Sequence, residues 1–501
     1  MSEKTSAALA KPKTNDVETD EPKASAADRL VALARKNCVY FHTPDKIAYA
    51  RVACGDHSEV WAVDSSEFRA WIEAKYYRLT GTGLQPRTLE MAISTLSAHA
   101  KYDGLEHTVH LRSAKHDGKY YIDLCDDEWR VVEVSSKGWK VLATSPVMFT
   151  RTPSMRELPV PVEGGKFKGI LDFANVPKDS WVILYAWVIE CFRPETPYVG
   201  LALIGEHGSA KSSAQSFLRD LVDPNKHNLR VAPKSVQDID VAAGSAHLLS
   251  YENLSVLSDE MQDRLCSILT GAGSAGRKLY TDDQEVVIGL KRPVALNSID
   301  HVVTRPDLLD RFICLELPSI EKGRKTEVEM HANYDKMRPR FFGAILTRFA
   351  RALALLPAVV KETRDLPRMA DFALLGEAVA RSLKLKPGEF LARFNKNRRD
   401  GIEDTIDDNV VGEAIRQYLQ AHKGGLEGTF AQLNAKLQAH CRAKSQSQGA
   451  IKDWPKNGKA FGSQLRRLKP AMKLIGILIE RLGRSGSGYI WRLGKSKASN
   501  L

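Results

Sequence analysis

The stretch Gly205-Glu206-His207-Gly208-Ser209-Ala210-Lys211-Ser212-Ser213 has the residue types and spacing of a loop that holds the phosphates of a nucleoside triphosphate. Backbone N–H groups of such a loop, and of the helix it opens, surround the phosphates. Lys211 would reach the terminal phosphate oxygens, and the Ser212 hydroxyl would ligate Mg²⁺. The standard pattern carries Gly immediately before the Lys, whereas this chain has Ala210, which adds a methyl group where backbone passes closest to phosphate. A glycine-rich turn with a chance Lys-Ser pair is the competing reading. The flanks argue for the phosphate loop: Val199–Ile204 is a short apolar run expected as a buried strand, and Ser213–Leu221 has helical spacing. ATP and Mg²⁺ are therefore the expected cofactors.

Hydrolysis needs further groups, and three later runs supply candidates. Ala246–Asn253 reads as a strand, expected beside the first, ending in Glu252, placed to hold the Mg²⁺ water shell. Asn253 stands where many such sites carry a Glu that activates water, so Glu252 alone, Asp259 or Glu260, or slow turnover must account for that step. A structural reading of Glu252 is a strand-end acid capping the next turn. Arg292–Asn297 is a third strand, and Asn297 is a candidate γ-phosphate sensor. Arg305 and Arg311 follow, just before a fourth strand, Phe312–Leu317. In a ring of subunits Arg311 can reach a neighbour's nucleotide, and a salt bridge to Asp307 or Asp310 is the competing account. Between the second and third strands, Gly276–Arg292 reads as a hairpin with Arg277, Lys278, Lys291 and Arg292 at its base and Asp282-Asp283 at its tip.

Phosphate loop, acid strand, the Thr270-Gly-Ala-Gly273 segment leading to Arg277-Lys-Leu-Tyr280, the Asn-ended strand and Asp310-Arg311 occur in an order that resembles superfamily 3 helicases. More closely, it is similar to primase-helicase-type ATPases of phages, plasmids and integrated elements. The resemblance covers roughly residues 195–320 and weakens out to about 400. It implies an AAA+-like core, a homo-hexameric ring, Mg²⁺-dependent ATP hydrolysis and movement along DNA. It also implies a channel hairpin that grips DNA, with Arg277 and Lys278 as the contacts, although the acidic tip would repel phosphates.

These groups must be held by several modules. Residues 1–26 have almost no large apolar side chain and are expected to be a disordered leader. Residues 27–165 mix strand-like runs (60–63, 119–124, 129–134) with helical ones (66–79, 87–101), an α+β accessory domain ending at a Pro-rich stretch and Gly164-Gly165. The core is expected over 166–320, entered by the helical run Trp181–Phe192, with a helical lid or subdomain over 321–405. Residues 406–501 show helical runs at 410–422, 430–443 and 458–469, then two strands, 477–482 and 489–493, around a glycine turn. Three helices and a hairpin resemble a winged helix. The expected fold class is thus an α/β P-loop NTPase (AAA+-like) core with an α+β N-terminal domain, a helical subdomain and a C-terminal winged-helix-like module.

Charge points the same way. The chain is +12 overall, and residues 431–501 hold fifteen Lys/Arg against Asp453 and Glu480, leaving the rest close to neutral. A basic terminal module suggests a nucleic-acid partner. Lys459, Arg466, Arg467 and Lys469 would be the helix cations and Arg481, Arg484 and Arg492 those of the wing, with phosphate contact favoured over base readout. Winged helices also dock proteins, so replication proteins are a further possible partner. Seven scattered cysteines show no CxxC or Cys/His ligand spacing, which argues against a disulfide framework or zinc site. With no run of about 18 apolar residues and no signal core, a cytoplasmic location and no membrane partner are expected. Asp123, Asp126 and Asp127 read as an acidic turn, not a polymerase metal site, and Trp61, Trp129 and Trp139 as packing residues. The expected activity is an ATP-dependent, helicase-like nucleic-acid motor in the replication of a mobile element. The alternatives are an ATP-gated DNA-binding switch or loader, or a winged-helix regulator with an assembly ATPase core.

Overall fold

The computed structural model describes residues 25–271, 274–277, 285–288, 290–321, 326–422, 424–445, 454–486 and 488–495, with backbone only for 274–277, 285–288 and 444–445. The chain divides into two compact units, 1–108 and 109–501.

In the first unit, α1 (Ala26–Asn37) is started by a capping box between Ser25 and Asp28, the last two residues of the stretch expected as leader lying at this helix start. Strands β1 (Cys38–His42), β2 (Ala48–Cys54), β3 (His57–Ala62) and β4 (Leu105–Glu106) form a sheet in the order β3-β2-β1-β4. Helices α2 (Ser66–Thr80) and α3 (Pro86–Tyr102) complete the unit, and α2 stops where Gly81 takes a left-handed φ of 68°. Leu30, Ala50, Val52, Phe68, Ile72 and Leu96 are its buried centre.

The second unit begins with β5 (Val109–His110) and a four-stranded antiparallel meander, β6 (Ser113–His116), β7 (Lys119–Asp123), β8 (Val131–Ser135) and β9 (Gly138–Leu142). Strand β10 (Met148–Phe149) pairs with β5, and a 3₁₀ helix, η1 (Phe167–Asp172), precedes α4 (Trp181–Glu190). The division between Thr108 and Val109 falls inside the stretch 27–165 expected as one accessory domain. The meander's Tyr120, Ile122, Val132 and Val134 share a core with α4 and later helices, because its apolar face has no other cover.

A parallel sheet follows, built from β11 (Gly200–Ile204), β12 (Leu249–Leu254), β15 (Val294–Ser298) and β16 (Phe312–Glu316) in the order β12-β15-β11-β16. Strands β11 and β15 are buried along their whole length, which explains their unbroken apolar runs. The acid-bearing strand β12 does not lie beside β11, as expected, since β15 intervenes. Helices α5 (Lys211–Asp220), α6 (Val236–Ser245) and α7 (Asp259–Thr270) connect these strands, with the paired β13 (Ser274–Arg277) and β14 (Glu285–Ile288) inserted and a one-turn α8 (Pro306–Leu309) before β16. Lys278, Asp282 and Asp283 lie outside the described residues, as does the side chain of Arg277.

Helices α9 (Glu327–Glu362), α10 (Ala370–Ser382) and α11 (Glu389–Asp407) come next. The 36-residue α9 lies within the helical subdomain expected over 321–405 and runs through Pro339 and Pro357. By length and composition α9 could cross a membrane, yet Phe341, Phe342, Ile345, Leu346 and Phe349 on it are buried in the core. The chain closes with α12 (Val410–Ala421), β17 (Leu426–Thr429), α13 (Phe430–Ser445), α14 (Gly458–Leu474) and the hairpin β18 (Ile477–Ser485) and β19 (Gly488–Lys495), to which β17 adds a third strand.

Candidate nucleotide-binding site

Loop 205–210 leaves the buried end of β11 and turns directly into α5. Gly208 has φ 84°, and a side chain on Gly205 would meet the Leu317 carbonyl at 2.7 Å, so both glycines have backbone reasons. Ala210 is left-handed as well, at φ 61° and ψ 33°. The departure from glycine therefore places a Cβ in a conformation that favours glycine, at a cost of about 1 kcal/mol.

Lys211 is nearly buried, and its ammonium donates to the carbonyls of Gly205 at 2.6 Å and Glu206 at 2.9 Å. Burial lowers its pKa. Ser209 is fully buried, with its hydroxyl on the Glu206 carbonyl at 2.9 Å, and Asn175 donates to the Ser209 carbonyl at 3.1 Å. Glu206, His207 and Gly208 are exposed, and Ser212 and Ser213 are half-buried at the helix start. This set of exposed loop backbone, helix N-terminus, cation and hydroxyl fits a triphosphate with Mg²⁺.

One helical turn on, Gln215 shares a face with Lys211 and Ser212. Its amide nitrogen donates to Ser250 Oγ at 2.8 Å and to the carbonyls of Tyr251 at 3.0 Å and Ala295 at 3.2 Å. This ties α5 to the residue before Glu252, although β12 is two strands removed from β11. Strand β12 bulges between Tyr251 and Leu254, and Asn253 there has φ 53°. Glu252 is half-buried with its N–H on the Arg230 carbonyl at 2.8 Å, whereas the Asn253 side chain is exposed. Asn297 is fully buried, donates to Gln215 Oε1 at 2.7 Å and accepts the Asn253 N–H at 2.8 Å. Gln215 had no motif to mark it, since a lone Gln inside a short helix resembles any surface residue.

A cavity of about 330 Å³ opens beside the loop at Gly208, Ala210 and Ser213, walled by Leu171, Phe173, Met330 and His331. Sequence reading missed these residues too, because they come from distant segments brought together only by α9.

The arginines are engaged within the chain. Arg311 donates to the Asp307 carbonyl at 2.5 Å and to Cys266 Sγ at 3.3 Å, and lies 3.9 Å from the Asp307 carboxylate. Arg305 is paired with Asp263 at 3.0 Å. Asp259 is held by Arg305 at 3.9 Å and Arg467 at 3.5 Å. Asp123 is bonded through both carboxylate oxygens to Arg151, and Asp126 to Arg130 at 2.7 Å, so these acids have cation partners.

Of the C-terminal cations, Lys459, Arg466 and Lys469 on α14 are exposed and have no carboxylate within ion-pair distance among the described residues. Arg466 and Arg467 line a cleft of about 690 Å³ with Arg305, Asp307 and Asp310, so α14 turns part of its basic face toward α8. On the hairpin, Arg481 and Arg484 stack on Tyr489 at 4.4 and 5.6 Å, and Arg492 pairs with Glu427 at 2.9 Å.

Sheet and helices define a mixed α/β protein with a parallel sheet and a phosphate-loop-like strand-to-helix turn. Residues 166–390 match the family described as the actinomycete integrative conjugative element replication protein, and residues 411–500 match the AICE RepA C-terminal domain. Among solved structures, the chain is similar to SCCmec type IV Cch, an active helicase, at 12% identity over 92% of each chain with a TM-score of 0.46. It is also similar to the apo NrS-1 C-terminal region at 13% identity, over 93% of this chain and 98% of that one, with a TM-score of 0.41. No curated protein matches the chain.

Proposed function

We propose that this chain is an ATP-hydrolysing, DNA-acting motor in the replication of an integrated mobile element. The observation that carries the reading is the loop itself. Lys211, Ser209 and the helix start are arranged around exposed loop backbone at the end of a buried parallel strand, where open α/β sheets bind phosphorylated ligands. The match of residues 166–390 to a replication-protein family supplies the context.

In this reading residues 205–213 bind the triphosphate, and the adenine occupies the cavity between Phe173 and His331. Ser212 ligates Mg²⁺, with Glu252 holding its water shell. Asn297 braces α5 against the Asn253 backbone and senses the γ-phosphate through that brace. Arg311 serves a neighbouring subunit in a homo-hexameric ring, which requires exchanging its bond to Asp307 for the neighbour's phosphate. The C-terminal module is winged-helix-like, with Lys459, Arg466, Arg467, Lys469, Arg481, Arg484 and Arg492 against DNA phosphates. Arg277 and Lys278 contact DNA from the inserted hairpin.

An ATP-gated switch is the second reading, favoured by one observation. The residue after Glu252 is an Asn whose N–H is already bound to Asn297, leaving no second carboxylate at that position. ATP hydrolysis with and without single-stranded DNA, beside Lys211→Ala, separates the two. DNA-stimulated turnover that vanishes in Lys211→Ala supports the motor, and ATP binding without turnover supports the switch. Turnover at the parental rate in Lys211→Ala removes the loop from the site.

A further inference from the structure

A second concave site lies on the same unit, away from the loop. It is a cleft of about 790 Å³ between the β8–β9 turn, the segment 163–168, the start of α4 and the middle of α9. Lys137, Lys166, Lys168, Arg348 and Arg351 line it, against one acid, Glu163. None of these five cations has a carboxylate within ion-pair distance among the described residues, although ion pairs are common elsewhere on this unit. The Nε of Arg348 is buried without a hydrogen-bond partner, while its Nη1 donates to the Ser382 carbonyl and, at 3.0 Å, to the Ser382 hydroxyl. A merely solvated basic face would sit on one convex element. Here three separate segments bring their cations to one hollow, where low-dielectric walls focus the field on an anion.

Two indoles form part of the wall. Trp139 and Trp181 are half-buried, each packed against the core on one side while lining the cleft. The Trp139 N–H donates to Thr347 Oγ1 at 3.0 Å, which fixes its ring, and Lys168 lies 5.8 Å from the Trp181 ring. The floor is rigid as well. A Cβ on Gly165 would sit 1.9 Å from the Arg340 carbonyl, and one on Gly343 would sit 2.0 Å from the Val162 carbonyl. Segment 162–165 is therefore packed backbone to backbone on α9.

We propose that this cleft binds single-stranded nucleic acid, its phosphates against Lys137, Lys166, Lys168, Arg348 and Arg351 and unstacked bases against Trp139 and Trp181. Cationic groove plus aromatic platform is the combination that holds a single strand without sequence preference. A duplex keeps its bases stacked inside and could use only the cations. The proposal adds a contact to the nucleic-acid reading above, and rests on it.

The test uses the full chain and a fluorescent oligo-dT, read by anisotropy across a salt series. Lys166→Glu with Lys168→Glu and Arg351→Glu changes only exposed side chains, none of which has a carboxylate within ion-pair distance among the described residues. The expected result is at least about tenfold weaker binding at low salt. The log–log salt slope should also become shallower by about 2, since each single-strand phosphate contact contributes about 0.7. Trp181→Ala should weaken binding by roughly fivefold or more with the slope unchanged, the low end of a base-stacking effect. A parallel Arg466→Glu, Lys469→Glu protein keeps the two readings apart. Loss in the α14 variant with parental binding in the cleft variant overturns this site alone, whereas parental protein that fails to bind oligo-dT overturns the nucleic-acid reading as well. Equal losses for oligo-dT and for a blunt duplex in Trp181→Ala would also overturn the stacking role.

Discussion

Asn297 and Gln215 share a fully buried amide–amide hydrogen bond of 2.7 Å, and the remaining groups of both side chains are spent on β12 and β15. The phosphate-loop helix, the acid strand and the strand between them are thus joined through two uncharged side chains. Any displacement of α5 must be felt at Asn253. Asn297→Ala leaves Gln215 Oε1 buried without a partner and frees the part-buried Asn253 N–H, so a loss of about 1–3 kcal/mol is expected, mainly from the buried amide oxygen. Urea unfolding measures it. A loss no larger than that of an exposed Asn→Ala would mean the network relaxes onto water.

Ala210→Gly removes the left-handed Cβ beside Lys211. The protein should gain about 1 kcal/mol, visible as a higher thermal midpoint, with nucleotide affinity retained because no phosphate donor is lost. A lower midpoint would show that the Ala210 methyl, at the mouth of the 330 Å³ cavity, contributes more packing than its backbone conformation costs.

Arg112 and Asp223 are both fully buried and 3.0 Å apart, and the other Asp223 oxygen accepts the N–H groups of His247 and Leu248 at 3.0 Å. Arg112 also donates to the carbonyls of Asp123 and Arg156. Arg112→Met removes one of the two buried guanidiniums that hold the Asp223 carboxylate, the other being Arg219 at 3.8 Å, and should cost about 3 kcal/mol, the low end for breaking a buried ion pair. Arg112→Met with Asp223→Leu also takes the carboxylate away from the buried Arg219, so the double variant should be no more stable than the single one. Denaturation of the single and double variants decides.

Asp404 on α11 lies 3.9 Å from His301, which is 3.7 Å from Glu316 at the end of β16. Burial, opposed by His301 and reinforced by Glu316, Asp400 and Asp407, pushes the Asp404 carboxyl up to about 6. A carboxyl raised from an unfolded value of about 3.9 favours the fold at low pH, and that contribution disappears as pH rises through about 6. Asp404→Asn should therefore melt like the parent near pH 4 and higher than the parent above pH 6. Thermal melts from pH 4 to 8 would reject this if the two curves stay parallel.

Gly165→Ala and Gly343→Ala each drive a methyl into a backbone carbonyl. Both should lose about 1–3 kcal/mol, and the first should also weaken oligo-dT binding by widening the cleft floor. Gly164→Ala, with no atom within 4 Å of its Cβ but φ 78°, is the strain-only control.

Periodicity and turn chemistry made most elements legible, because each depends on residues within a few positions of itself. Helices 66–80 and 86–102, and strands 200–204 and 312–316, lie within one or two residues of expectation. Strand order was not legible. Parallel neighbours are joined by long crossovers, so nothing local to Ala246–Asn253 records that β15 separates it from β11. Pro339 and Pro357 are residues that ordinarily interrupt a helix, yet tertiary packing carries the 36-residue α9 through both. Strand β17, four residues long and preceded by Gly424-Gly425, carries too little alternation to be read from sequence. At the site, Lys211, Ser212 and the glycines announce themselves by spacing, and Glu252 and Asn297 by ending apolar runs. Gln215, Phe173, His331 and the cleft cations do not, since the meaning of Gln215 comes from partners 35 to 82 residues away and that of the others from a shared cavity.

The boundary between Thr108 and Val109 has a practical consequence for dissecting the protein. A fragment starting at residue 166, where the family match begins, would strip the meander from α4 and α9. Tyr120, Ile122, Leu124, Val132 and Val134 would leave an oily scar on those helices, and the guanidinium of Arg112 would be torn from Asp223. Such a piece is expected to clump, and its silence in any assay would say nothing about the loop at 205–213. Cutting between 108 and 109 keeps that surface covered, and so yields the shorter piece whose behaviour can be interpreted.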